Sequence, residues 1–343
     1  MLHHVPLSLR KLTAALIVLA ALAAIGTACD DAGTDQPDSS NAGGVGGTTA
    51  AAGGGSGGSG GAAGATSASG GGGSAGTGGQ GGGSCGDFPP GVGDQWEDPG
   101  PFSTTKLTLG PGDAFRVFQP DPLGEGGVLH PILVWSVGTG ASPESYELLL
   151  TRIASHGIVV IAGDDPNQAN GEQAISGLDW LVDQNDTAGS YQGKLDVTRI
   201  AAAGHSQGGN AALHVALAKP EVTAVAALMP GEGALGDATK ADESLLTDEV
   251  FYICGSSDSI TPPAWCLDRF ANTASPAWVG VLTGGTHFVP TVDTANAAEL
   301  RHWLIPWLRG QLLDDCDALP LFYGDPFALA QDDDWQDVDR KNL

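Results

Sequence analysis

The stretch RIAAAGHSQGGNAALHVA, residues 199–216, joins an apolar run, a glycine-rich corner and an alanine-rich amphipathic segment. The two flanking parts have the patterns of a buried strand and of a helix. Gly204, Ser206 and Gly208 stand between them in the pattern G-x-S-x-G. Small residues at such a corner let strand and helix approach closely while the serine takes a strained conformation. The sequence therefore predicts a strand–turn–helix unit that presents Ser206 at the turn.

Short apolar runs and amphipathic segments alternate along the rest of the chain. The runs expected to be strands are HPILVWSVG, GIVVIAGD, VTAVAALMP, EVFYICGSSD and WVGVLTGG. The segments expected to be helices are SPESYELLLTRIASHG, EQAISGLDWLVDQN, PPAWCLDRFANTA and ANAAELRHWLIPWLRGQLL, the last kinked or ended by Pro306. Strands in STTKLTLG and AFRVFQPD are expected to pair antiparallel at one edge. This order predicts an α/β fold with a mostly parallel sheet and helices on both faces.

A serine nucleophile needs a histidine base, and the histidine needs an acid that orients it. Asp258 follows one predicted strand, in CGSSDSITPP, and His287 follows the next, in TGGTHFVP. The other histidines precede a strand, lie in or end a helix, or adjoin the serine, as His205 does with a side chain expected to point away. Asp268 lies within a helical pattern and is the weaker alternative for the acid. The predicted catalytic residues are Ser206, Asp258 and His287.

An oxyanion would need two hydrogen-bond donors beside the serine. The backbone N–H of Gln207, directly after Ser206, is the first candidate. The second is expected in the loop after an early strand, where Thr139 follows Gly138. Only a short segment separates the strand ending near Met229 from the next one, so no large lid is expected over the cleft.

The N-terminal quarter of the chain differs in composition from the rest. Residues 1–28 have a basic start, an apolar run and small residues, as a secretory signal peptide does. The stretch up to Cys29 resembles a bacterial lipoprotein signal, which implies a lipid anchor on Cys29, and plain cleavage near Ala28 is the alternative. Residues 29–84 are Gly-, Ser- and Ala-rich and are predicted to be a flexible tether. Residues 85–343 then form one domain of an exported protein, lipid-anchored or secreted.

The charge and the cysteines restrict the possible partners. A formal net charge of −26 argues against nucleic-acid binding. The acidic segment 314–340 lacks the ligand spacing of a calcium loop and is expected to be a solvated tail. The five cysteines include no C-x-x-C pair, so zinc is not expected. One cysteine would carry the lipid, and the favoured disulfides are Cys254 with Cys266 and Cys85 with Cys316.

From Pro131 to Trp307 the chain resembles the bacterial cutinase and poly(ethylene terephthalate) (PET) hydrolase group of α/β-hydrolases, related to dienelactone hydrolases. The motifs that carry the resemblance are RIASHGIVVIAGD, GHSQGG, SDSITPP and GGTHFVP. It implies an α/β-hydrolase fold and a serine esterase without metal or cofactor. Family members with polyester activity place a tyrosine where Thr139 stands and a tryptophan where Gly231 stands. Those aromatic residues clamp an aromatic diacid unit, and their replacement argues against efficient PET cleavage.

The sequence thus predicts a monomeric esterase of short to medium acyl esters or aliphatic polyesters. Gly138, Gly231 and Trp265 are expected to line its substrate cleft, and Trp265 is the one aromatic residue expected to substitute for the clamp. An acyltransferase or a peptidase of the same fold is one alternative. A surface-binding lipoprotein without catalytic activity is the other.

Overall fold

The computed structural model describes residues 95–165, 170–233 and 239–343. The predicted signal peptide, the tether and Cys85 lie outside these residues. Nine strands of the described chain form one sheet. They are β1 (Thr104–Leu109), β2 (Phe115–Pro120), β3 (His130–Ser136), β4 (Val159–Gly163), β5 (Leu195–His205), β6 (Val222–Leu228), β7 (Glu249–Gly255), β8 (Ala277–Leu282) and β9 (Trp335–Lys341).

The sheet has the strand order β1-β2-β4-β3-β5-β6-β7-β8-β9. Each pair of adjacent strands from β4 to β8 in this order is parallel. The pairs β1–β2, β2–β4 and β8–β9 are antiparallel. The predicted parallel sheet and the predicted antiparallel edge pair are therefore confirmed. Because β5, β7 and β8 are parallel, the loops that follow them meet at one end of the sheet.

The helices of the described residues connect these strands. They are α1 (Glu147–Ser155), α2 (Glu172–Asp186), α3 (Gln207–Ala218), α4 (Pro263–Asn272), α5 (Ala295–Leu313) and α6 (Leu319–Tyr323). A 3-10 turn at Pro143–Tyr146 leads into α1. Helix α5 continues through Pro306 to Leu313, so the proline does not end it. Pro306 has no N–H to donate within the helix. The residues on either side of it, 303–310, are all buried, and we attribute the continuity of the helix to their packing. None of the described helices is long and apolar enough to cross a membrane.

Side-chain alternation along the strands divides the core into two layers. In β3, Leu133 and Trp135 contact the layer that contains α1, α5 and α6. Ile132 and Val134 point to the other face and join the layer that contains α2, α3 and α4. The central strands are thus buried on both faces, which explains why their sequences are continuous apolar runs. Helices cover both faces, as predicted.

The acidic C-terminal segment is not a solvated tail. It contains α6 and β9, and β9 pairs with β8 as an edge strand. Phe322, Phe327, Leu329 and Trp335 are buried among the acidic residues. Gly280 in β8 makes room for Trp335, because a Cβ atom there would lie 2.8 Å from its Cε3 atom. Burial of these apolar residues holds the segment on the sheet, while most of the neighbouring carboxylates stay exposed.

The predicted disulfide between Cys254 and Cys266 is present, with the two Cα atoms 6.3 Å apart. It links β7 to α4 across the loop that contains Asp258. The other predicted pair includes Cys85, which lies outside the described residues, and so it stays a prediction.

Candidate active site

Ser206 lies between β5 and α3, at the turn that the opening motif predicts. Its backbone has φ 58° and ψ −124°, a conformation that non-glycine residues rarely adopt. The two glycines of the motif allow close backbone contacts. A Cβ atom on Gly204 would lie 2.2 Å from the Gly208 carbonyl oxygen, and one on Gly208 would lie 2.1 Å from that of Ser136. The motif thus fixes Ser206 in a sharp turn at the N-terminus of α3.

His287 and Asp258 reach this serine from the loops after β8 and β7. Ser206 Oγ lies 2.9 Å from His287 Nε2. His287 Nδ1 lies 2.7 Å from Asp258 Oδ2. The structure therefore brings the three predicted residues together in one hydrogen-bonded row. Asp268, the weaker alternative for the acid, lies on α4 and is exposed to solvent.

Hydrogen bonds from His287 and from the loop after β7 keep the Asp258 carboxylate ionised. Burial alone would raise the pKa of Asp258, but its bonds to His287 and to the Thr261 backbone and side chain lower it below the usual value. Asp258 Oδ1 accepts hydrogen bonds from the N–H groups of Ile260, at 2.8 Å, and Thr261, at 2.9 Å. The Thr261 hydroxyl lies 2.8 Å from Asp258 Oδ2 and 3.0 Å from the Met229 carbonyl oxygen. Asp258 is thus held in one orientation toward His287.

The two predicted oxyanion donors lie on either side of the turn. Gln207 is the first residue of α3, and the N–H groups at the start of a helix have no partner within it. Thr139 lies in the loop after β3, and its hydroxyl donates a hydrogen bond to the Gln207 side-chain oxygen. Among the described residues, neither the Gln207 N–H nor the Thr139 N–H has a backbone hydrogen-bond partner. This leaves both groups available to a bound oxygen atom.

Gly231 lies against the turn, near the start of the loop that follows β6. Its N–H donates to the Ser206 carbonyl oxygen at 2.8 Å. Its own carbonyl oxygen accepts a hydrogen bond from Arg269 Nη2 at 2.5 Å. A Cβ atom built on Gly231 would lie 3.4 Å from the Gln207 nitrogen, which is an ordinary contact. A side chain at position 231 would therefore stand directly beside the proposed oxyanion donor.

Sequence reasoning did not find the residues that hold this loop. Arg269 is fully buried and pairs with the buried Glu243. It also donates to Asn210 Oδ1 at 2.8 Å, and Asn210 Oδ1 accepts from the Ala241 N–H at 3.0 Å. A buried charge is costly unless it is paired, and Glu243 supplies the opposite charge for Arg269. One signal in the sequence was available. Arg269 follows Cys266 by three residues, so both side chains lie on the same face of α4, and Cys266 was predicted to be in a disulfide.

His205 was expected to point away from the cleft and to serve in packing or hydrogen bonding. It is buried, and its ring centroid lies 4.6 Å from that of His287. It also makes two hydrogen bonds, one of them to the buried Tyr146, which sequence reasoning did not single out. Trp265 lies half-buried in the first turn of α4, after the Asp258 loop.

The cleft has few other features within the described residues. The described part of the connection between β6 and β7 contains only a short 3-10 turn, Glu243–Leu245, and no helical lid. No group of histidine, cysteine, aspartate or glutamate residues in the described ranges is arranged to hold a metal ion.

Chain order and topology define the class of protein. Serine, acid and histidine come in that order along the chain and follow β5, β7 and β8 of a mostly parallel sheet. This is the arrangement of the α/β-hydrolase fold, which the chain adopts. The chain belongs to the PET hydrolase-like family, whose model matches residues 99–329.

Several curated proteins are similar to this chain. Cutinase 2 of Thermobifida cellulosilytica is 28% identical over 226 residues, which cover 61% of this chain and 79% of the relative. Cutinase cut1 of Thermobifida fusca is also 28% identical, over 61% of this chain and 65% of its own length. The bis(hydroxyethyl) terephthalate hydrolase of Streptomyces coelicolor is 27% identical, over 53% of this chain and 57% of its own length. The chain thus spans less than two thirds of the length of the last two relatives.

Proposed function

We propose that this protein is an exported serine esterase that hydrolyses carboxylic esters through an acyl-enzyme. The hydrogen-bonded row from Ser206 through His287 to Asp258 is the observation that carries the proposal. Membership of the PET hydrolase-like family supports it, as do the relatives named cutinase and bis(hydroxyethyl) terephthalate hydrolase.

In the first half-reaction, His287 Nε2 takes the proton of Ser206 Oγ as that oxygen attacks the ester carbonyl carbon. Asp258 keeps the other ring nitrogen protonated and stabilises the imidazolium that forms. The negative oxygen of the tetrahedral intermediate accepts hydrogen bonds from the N–H groups of Gln207 and Thr139. The ester C–O bond then breaks, and His287 gives its proton to the leaving alcohol.

In the second half-reaction, water replaces the alcohol. His287 takes a proton from the water as the oxygen attacks the acyl-enzyme carbonyl carbon. The bond to Ser206 Oγ then breaks, and the same proton returns to the serine as the acid leaves. Every step uses side chains and backbone groups of this chain.

A fluorophosphonate probe tests the proposal directly. We expect the probe to label the protein on Ser206, located by mass spectrometry, and to leave the folded Ser206→Ala variant unlabelled. A protein that binds esters without catalysis would stay unlabelled in both forms. Product analysis with added alcohols or with peptides then separates hydrolysis from acyl transfer and from proteolysis.

The residues expected to line the cleft predict which esters the protein hydrolyses. The family resemblance implies a clamp of tyrosine and tryptophan at the positions of Thr139 and Gly231. An aromatic contact contributes about 0.5 to 1.5 kcal/mol beyond its buried area. We therefore expect hydrolysis of short and medium p-nitrophenyl esters and of polycaprolactone, with little product from PET film.

Gly231→Trp should raise release from PET film relative to polycaprolactone, because the new side chain would stand beside Gln207. Trp265→Ala tests the half-buried tryptophan of α4, which is the one aromatic residue expected to substitute for the clamp. Strong wild-type cleavage of PET that survives Trp265→Ala would show that the clamp does not govern specificity in this protein. Liquid chromatography of the released acids measures the hydrolysis of both polymers.

We also propose that the protein is exported by the signal in residues 1–28 and is either anchored by a lipid on Cys29 or secreted. The domain acts as a monomer on an ester or polyester substrate.

A further inference from the structure

A second row of hydrogen bonds runs behind the candidate active site. The Gly138 N–H donates to the Tyr146 hydroxyl oxygen at 3.0 Å. That oxygen lies 2.9 Å from His205 Nδ1. His205 Nε2 lies 2.7 Å from the carbonyl oxygen of His287. The row therefore connects the loop that carries Thr139 with the backbone of the proposed base.

The chemistry of the partners assigns every proton in this row. The His287 carbonyl oxygen can only accept, so His205 Nε2 carries the proton and donates it. Burial, together with the neighbouring His287, lowers the pKa of His205 well below its usual value, so the ring is neutral and its Nδ1 accepts. The Tyr146 hydroxyl must then donate to Nδ1 while its oxygen accepts from Gly138. Burial also raises the pKa of Tyr146, which keeps this hydroxyl protonated.

The groups at both ends of the row are tightly packed. A Cβ atom on Gly138 would lie 3.1 Å from the Tyr146 hydroxyl oxygen and 3.3 Å from Ser206 Cβ. At the other end, the rings of His205 and His287 are in contact, with centroids 4.6 Å apart. Movement of Tyr146 or His205 would thus be transmitted to the oxyanion loop and to the base.

We infer that Tyr146 and His205 are positioning residues that set the distance between the Thr139 oxyanion donor and the His287 base. The inference rests on the proposed esterase function. Because the Gly138 N–H is committed to Tyr146, it is not free to act as the oxyanion donor of this loop, and we assign that role to the Thr139 N–H. Catalysis depends on such spacing, since a displacement of about 1 Å can cost about 100-fold in rate.

Tyr146→Phe tests the inference, because it removes one hydroxyl and keeps the ring. We expect kcat for p-nitrophenyl butyrate to fall by about 10- to 100-fold with little change in KM. Tyr191→Phe is the matched control. Both tyrosines are buried, since Tyr191 is 4% exposed and Tyr146 is 1% exposed. The Tyr191 hydroxyl also donates to a buried partner, Gln119, but Tyr191 belongs to the core layer on the other face of the sheet. This control should lose comparable thermal stability and keep the wild-type kcat.

A double-mutant cycle with His205→Phe provides the second measurement. If the two residues act through one row, the double variant should be no slower than the slower single variant. Equal kcat values for Tyr146→Phe and Tyr191→Phe would overturn the inference, and so would additive losses in the cycle.

Nitrogen-15 NMR of the histidine rings separates this inference from the proposed function. In the wild-type protein His205 should be protonated at Nε2 with Nδ1 as acceptor, and Tyr146→Phe should move the Nδ1 signal toward that of an unbonded neutral ring. A His205 protonated at Nδ1 would overturn the row even if the protein is an active esterase. Absence of any ester turnover by the wild-type protein would instead refute the proposed function, while the NMR result would still report on the row.

Discussion

Replacing Ser206 with alanine should lower kcat for ester hydrolysis by about a millionfold. In the proposed mechanism the serine oxygen forms the covalent bond to the acyl group, and no other hydroxyl of the described residues lies within hydrogen-bond distance of His287 Nε2. His287→Ala should have a loss of similar size, because without the base the serine keeps its proton. The double variant should be no slower than either single one, since the residues act as a unit. Steady-state hydrolysis of p-nitrophenyl butyrate measures all three.

The matched control is His214→Ala, which removes a half-buried histidine from α3, the helix that follows Ser206. It should keep the wild-type kcat. Circular dichroism should show that each variant is folded. A folded Ser206→Ala protein with most of its activity would mean that the turn does not carry the nucleophile.

Asp258→Asn should lower kcat by about 10⁴-fold. The Asp258 Oδ1 atom accepts from two backbone N–H groups, so the asparagine oxygen should occupy this position. The amide nitrogen would then replace Oδ2 and donate toward His287 Nδ1. His287 would have to carry its proton on Nε2, and in this tautomer it cannot accept the proton of Ser206. The Thr261 hydroxyl can still donate to the Met229 carbonyl oxygen, so the loop should keep its fold.

Asp268→Asn is the control for this substitution, because Asp268 follows the same strand but is exposed on α4. It should leave kcat unchanged. If Asp268→Asn is the slower of the two variants, the acid has been assigned to the wrong residue. The tautomer of His287 in Asp258→Asn can be read independently by nitrogen-15 NMR.

Much of the fold follows from local sequence patterns. The central strands are buried on both faces, and this burial requires the continuous apolar runs from which they were predicted. The positions of Ser206, Asp258 and His287 follow from the same topology, since loops after parallel strands meet at one end of a sheet. Their contact distances could be anticipated because the nucleophile turn and the chain order restrict the geometry.

The remaining features depend on contacts between distant parts of the chain. Strand β9 is an edge strand in which four of the seven residues are charged and only Trp335 is buried, so its sequence resembles that of a solvated segment. It pairs with β8, and the buried Trp335 packs against Gly280 of that strand. Likewise, Tyr146 lies in a 3-10 turn far along the chain from His205, and nothing in its local sequence indicates this partner.

The backbone of Gly231 is fixed at both of its polar groups, by Ser206 on one side and by the buried Arg269 on the other. Neither hydrogen bond involves a side chain of residue 231, and its φ angle lies outside the left-handed region. The position can therefore accept different residues while the adjacent Gln207 N–H, the proposed oxyanion donor, stays in place. In the proposed esterase, natural variation or directed evolution at this one residue would change which acyl groups are accepted without rebuilding the row of Ser206, His287 and Asp258, so selectivity and rate would be altered separately.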